Sequence, residues 1–371
     1  MSQPQQPPQS PSNMPPQFQP PRPPHWAPQW APQWQAQQDA LRALVRRARR
    51  AYSRIGAGIS VVVAIWLAMT LGLQSLAMYL MHSTTLSSWL ALVINDVVLY
   101  CLAIPIGYMI ISTVPVEPTH RYRLPARRFC ALLVMCVPLM YGGSIIGQLL
   151  AGALSSGTST NRIDSFVDSG SWLLTSVAMV VIAPIVEEWL FRKQVISRLR
   201  RYGERTAILV SALLFALFHV NLYQFFYAFA LGLMFGYVYT RTSALRYSVA
   251  MHMIVNFVGA VISPALLQWT ESTGALALAV NAASTLGAGG SPAVTGAQMA
   301  YLVAMCAFGL AMLALFVIGI VLLVRERRRF VLYTAPDELP RGTVATAVFA
   351  NPGMIVFLVI GVIGTLVSVW L

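Results

Sequence analysis

The chain has 371 residues, 57% hydrophobic and only 10% charged, with a net charge of +13. An ordinary soluble domain carries about 25% charged residues, so a water-soluble globule is excluded and a polytopic membrane protein is expected. The positive balance does not point to nucleic acid, because the basic residues gather in alternate loops, the pattern that orients a membrane protein.

Residues 1–40 are rich in Pro and Gln and poor in aliphatic side chains, which predicts a disordered cytoplasmic tail. Trp26, Trp30 and Trp34 recur there every fourth residue, as in a low-complexity tail or, alternatively, an interfacial anchor or docking peptide. Residues 41–54 read as a basic amphipathic lead-in suited to anionic lipid headgroups. Apolar runs of about 20 residues, the length that crosses a bilayer, then fall near 56–81, 88–112, 129–153, 171–191, 206–221, 222–240, 246–267, 299–324 and 351–371. They predict an all-α polytopic bundle of about nine transmembrane helices.

The membrane domain is expected over 41–267, with a flexible Ala/Gly/Ser-rich external loop over 268–298 and two additional helices with a basic cytoplasmic loop over 299–371. Loops 82–87, 154–170 and 268–298 carry Arg162 as their one basic residue. The stretches Arg42–Arg54, Arg121–Arg128, Arg192–Arg205, Arg241 with Arg246, and Arg325–Arg329 are basic, which puts them and the N-terminus in the cytoplasm. Cys101, Cys130, Cys136 and Cys306 lie in apolar runs without a CxxC pair and read as packing residues. A leader of about fifty polar residues before the first apolar run argues against a cleavable signal peptide.

Polar groups inside the apolar runs are few. Of 12 acidic residues only Asp96, Glu187 and Glu188 lie there, and of 5 histidines only His219 and His252. A carboxylate at the centre of a membrane helix costs roughly 2.5–3.5 kcal/mol on insertion scales, so an adjacent pair needs a local reason. Glu188 and Arg192 are four apart and can pair on one helix face, while Glu187 is rotated by about 100° and free to point elsewhere. Phe215 with His219, and His252 with Asn256, repeat the one-turn spacing on later runs. Counted from the basic ends, Glu187, His252 and Asn256 come out about 10–15 Å deep and His219 about 20 Å, one layer of the cytoplasmic half. Asn95–Asp96 stands outside these motifs and is assigned no catalytic role.

A glutamate in an apolar cleft can take a proton from water, with an imidazole sharing that water. An imidazole and a carboxamide one turn apart can donate to a developing oxyanion. Singly, each group has a plainer reading: Glu188–Arg192 as an interfacial ion pair, the histidines and Asn256 as interhelical hydrogen-bonding groups. In order, EExxxR at 187–192, FxxxH at 215–219 and HxxxN at 252–256 resemble the CPBP family of type II CAAX-processing prenyl proteases and bacteriocin-processing or self-immunity proteins. The resemblance covers about 170–267.

It implies a membrane endopeptidase in which Glu187 and His219 activate water, His252 and Asn256 stabilise the oxyanion, and Glu188, Arg192 and Phe215 organise the site. Family members are described both as metalloproteases and as metal-independent glutamate proteases. Glu187, His219 and His252 are chemically able to hold zinc, yet HExxH is absent, and the reading favours no tightly bound metal. The expected partner is a peptide or membrane-protein substrate in the lipid bilayer of a bacterial plasma membrane; a prenylated one follows from the resemblance alone. The alternatives are a non-catalytic immunity or scaffold protein that binds a membrane peptide, and a proton-coupled transporter, which would need paired half-sequences that the chain lacks.

Overall fold

The computed structural model describes residues 31–156, 172–275, 281 and 295–370. The expected tail up to residue 30, with Trp26 and Trp30, and most of the 268–298 loop lie outside the described residues. Contacts divide the chain into Met1–Ala43 and Leu44–Leu371, and the second unit carries the site.

All regular structure among the described residues is helical. The elements are α1 (Ala31–Leu80), α2 (Ser88–Ile111), α3 (Ala126–Leu154), α4 (Leu173–Tyr202), α5 (Glu204–Phe218), α6 (Leu222–Thr242), α7 (Leu245–Trp269), α8 (Gly296–Arg329), α9 (Arg341–Phe349) and α10 (Pro352–Val367). Seven are long and apolar enough to cross a membrane, or up to eight if α9 and α10, bent by 69°, count as one span. The protein is therefore a multi-pass membrane protein. Side chains such as Leu310, Leu313, Val321 and Val324 on α8 are exposed, as a lipid-facing helix requires.

Two sequence-based boundaries are corrected. Helix α1 begins at Ala31, inside the stretch read as tail. Pro32 sits in its first turn, where a missing N–H costs nothing, and no further proline follows before Pro105. The 206–221 run becomes the 15-residue α5 followed by a tight connection at 219–221. At 1.5 Å per residue α5 is about 22 Å long, short of the roughly 30 Å hydrocarbon layer.

Three helices widen into π turns at Val98–Ala103, Ala178–Ile182 and Val258–Ile262. Each ends two residues before a proline: Pro105, Pro184 and Pro264. Proline lacks the N–H for the helical ladder and its ring crowds the carbonyl four residues earlier, and a wider turn absorbs both defects. A fourth wide stretch, Trp189–Ile196, has no proline. The short α-helical segment Ala183–Glu188, which carries both glutamates, is thus held between two widened turns.

The core joins α1, α4, α5 and α10 through Tyr52, Ile55, Phe191, Phe215 and Phe357. On the basic side Glu204 opens α5 between Arg200 (2.9 Å) and Arg241 and accepts from Tyr333 N (2.8 Å). Helices α1 and α10 cross backbone to backbone: a Cβ on Gly56 would lie 2.6 Å from Gly353 C, and one on Gly353 would overlap Ser53 O. Gly353→Ala is therefore expected to cost about 1–3 kcal/mol through overpacking. Gly72→Ala, where the added methyl meets open space, should leave stability unchanged or raise it slightly. Melting curves of the two purified variants in one detergent check the contrast.

Candidate active site

Glu188 and Arg192 are both fully buried, and the guanidinium Nε lies 3.1 Å from Glu188 Oε2. The pair is held from three sides. Arg192 Nη1 donates to Ser211 Oγ of α5 (3.3 Å), which in turn donates to Phe191 O (2.8 Å). The guanidinium carbon stands 4.7 Å from the centre of the Phe215 ring and 5.9 Å from that of Phe235 on α6. Aromatic faces attract a cation where no water can. On the far side His252 Nδ1 of α7 donates to Glu188 Oε1 at 3.1 Å.

The same imidazole turns Nε2 toward Glu187 Oε2, 3.7 Å away. Glu187 is not sealed in: its side chain keeps 14% of its surface, against none for Glu188. The helical offset between the neighbours has this effect: one carboxylate is locked into the packing, and the other keeps part of its surface open. The Tyr100 side chain from α2 and the Tyr227 side chain from α6 both lie within electrostatic reach of Glu187.

His219 stands just past the last residue of α5, as its C-cap. Its Nδ1 bonds Phe215 O at 2.7 Å. A carbonyl only accepts, so Nδ1 carries the hydrogen and Nε2 of the neutral ring presents a lone pair. Glu187, His252 and Arg192 lie within electrostatic reach of the ring. Phe215 meets both imidazoles edge to face, with centroids 4.8 Å from His219 and 5.7 Å from His252.

Val220, next in the chain, adopts φ +47°, a left-handed conformation that costs a β-branched residue roughly 1–2 kcal/mol. Helix α10 braces it: Gly364 leaves room for the valine, since a Cβ there would be 2.6 Å from Val220 Cγ1, and Ser368 Oγ accepts from Leu222 N at 3.2 Å.

Asn256 comes one turn after His252, but its Nδ2 donates to Met179 O of α4 at 2.8 Å. The π turn makes that carbonyl available. Ala183 N bonds back to Ala178 O, and the next nitrogen, that of Pro184, has no hydrogen to offer Met179. The second N–H of the amide remains for another acceptor.

The structure thus brings Glu187, Glu188, Arg192, Phe215, His219 and His252 together and ties Asn256 to the glutamate-bearing helix. Among the described residues no group of three His, Cys, Asp or Glu side chains stands placed to hold a metal ion. Asn95 and Asp96 are joined (3.1 Å) and anchored to Trp66 Nε1 (2.8 Å). Sequence reasoning passed over Ser211 and Phe235. Ser211 was within reach as a hydroxyl one turn before Phe215 in an apolar run. Phe235 carries no signal among the aromatics of α6.

A multi-pass helical protein with carboxylates and imidazoles gathered from separate membrane segments has the parts of a membrane hydrolase. Residues 169–258 match the family of type II CAAX prenyl endopeptidases, Rce1-like. Over this segment, α4 to most of α7, the chain is similar to that membrane protease family. No curated protein and no solved structure matches it.

Removing one partner of a buried ion pair costs about 3–5 kcal/mol, because the other charge is left unpaired. Arg192→Met should fall in stability by that amount, and adding Glu188→Gln should recover part of the loss. Denaturant midpoints of single and double variants measure the coupling.

Proposed function

We infer that the protein is an intramembrane endopeptidase in which Glu187 is the general base. The observation that carries this reading is the division of labour within the glutamate pair: Glu188 is fully buried against Arg192 and His252, and Glu187 keeps part of its surface open within electrostatic reach of two imidazoles. Water held between the Glu187 carboxylate and His219 Nε2 attacks the scissile carbonyl, and Glu187 takes its proton. The same proton then passes to the departing amine, so the carboxylate is restored at the end of the cycle. His252, held at Nδ1 by Glu188, turns Nε2 toward the oxyanion, and the free N–H of Asn256 supplies a donor. Protein groups alone carry each of these steps.

The family match supports a peptide substrate, and a prenylated CAAX tail as the first to try. In such a substrate the lipid anchor brings the peptide to the bilayer surface. We place the N-terminus and the site on the cytoplasmic side of a bacterial plasma membrane. The alternation of basic and arginine-poor loops supports this orientation. Arg192–Arg205 and Arg241–Arg246 flank the α5–α6 hairpin and stay on one side whether or not it crosses the bilayer.

The test uses purified protein in liposomes and a farnesylated peptide ending in a CAAX box, beside its unprenylated twin. Glu187→Gln and His219→Ala should each lower hydrolysis by about 10²–10⁴-fold, the usual worth of a general acid–base group, and Glu187→Gln should do so without loss of stability. Asn256→Ala should lose less. Undiminished cleavage by the Glu187→Gln variant sinks the assignment.

A further inference from the structure

Away from the cleft, a cavity of about 280 Å³ lies at the basic end of α1, lined by Arg47, Arg50, Arg54, Arg201, Tyr202 and Asp337 among others. Four guanidiniums face one carboxylate, and the four are not equivalent. Arg201 is already neutralised, by Asp337 at 2.9 Å and by Glu117 at 3.8 Å. Arg54 donates to a backbone carbonyl, Thr113 O, at 3.3 Å. Arg47 and Arg50 have no hydrogen bond or ion pair with any described residue and are exposed.

The spacing has a structural cause. Arg47, Arg50 and Arg54 fall at i, i+3 and i+7 on one stripe of the helix, beside the buried Ala48, Ala51, Tyr52 and Ile55 that pack it onto the core. The core contact fixes the stripe's direction, and the Tyr202 ring, 5.8 Å from the Arg201 guanidinium, forms part of the wall. Converging guanidiniums in a concave site are suited to the oxygens of a phosphate group.

We propose that this cavity binds the phosphate of an anionic phospholipid headgroup. The level favours a lipid over a free phosphate ion. After Arg54 the helix carries no charged residue up to its end at Leu80, so the cavity lies in the plane where basic residues give way to hydrocarbon. The acyl chains then continue along the apolar flank while the headgroup occupies the arginines. This site is separate from the Glu187 cleft and does not rest on the proposed protease activity.

The experiment titrates purified protein in neutral detergent with short-chain phosphatidylglycerol, phosphatidylcholine or inorganic phosphate, and counts bound molecules by native mass spectrometry. The wild type should bind phosphatidylglycerol in preference to phosphatidylcholine. Each arginine near an anionic headgroup contributes about 5-fold in affinity, so Arg47→Gln with Arg50→Gln should weaken binding about 30-fold. Arg46→Gln with Arg49→Gln removes the same charge from the same helix outside the cavity and should change it little. Arg47→Lys with Arg50→Lys keeps the charge and should restore part of the affinity, which guards against a loss caused by misfolding.

Equal weakening by both glutamine pairs would reduce the site to diffuse surface charge and overturn the proposal. So would inorganic phosphate binding as tightly as the lipid, or wild type that does not separate the two lipids.

Discussion

A guanidinium sealed between two aromatic rings and a carboxylate is the constraint on which the rest of the site depends. Taking Arg192 and Glu188 out of water costs several kcal/mol each, and their attraction offsets this only with good geometry and further partners. The partners come from α5 (Ser211, Phe215), α6 (Phe235) and α7 (His252), so the demand for compensation is what draws four helices into one arrangement. The adjacent residue inherits the benefit. Glu187 is presented to the cleft on a helix whose position its neighbour has already fixed.

Proline chemistry sets the second constraint. Pro184 denies Met179 O a backbone donor, and Asn256 answers from another helix. The interruption in one ladder becomes the attachment point between two. The C-terminal α10, outside the family-matched segment, serves the opposite end: it holds the strained Val220 and thereby the direction in which His219 leaves α5. Sequence motifs confined to residues 169–258 therefore rely on a helix about a hundred residues further on.

How much of this was legible in the sequence follows from what hydrocarbon tolerates. Polar side chains are scarce in membrane segments, so Glu187, Glu188, His219, His252 and Asn256 stand out by contrast, and one-turn spacings announce which pairs share a face. The Glu188–Arg192 pair and the Phe215–His219 contact are both local consequences of helical geometry. What could not be read depends on the backbone. A carbonyl freed by Pro184, the acceptor of the Asn256 amide, has no letter of its own. Nor does the end of α5 before His219, because hydropathy runs on through Val220 into α6. The approach of Phe235 to His252 is a tertiary contact among interchangeable aromatics.

The early ending of α5 has a consequence for the resting protein. Its first residue, Glu204, sits among arginines, and 22 Å or so beyond that point the backbone is still within the apolar layer. The last turn of any helix leaves carbonyls without amide donors. The imidazole of residue 219 caps one of them, on Phe215, Val220 N serves another, on Leu217, and nothing in lipid can serve the rest. Solvent must therefore reach the hairpin tip before any peptide arrives. Hydration of the crevice is a requirement of folding first, and chemistry makes use of moisture that the architecture already has to admit.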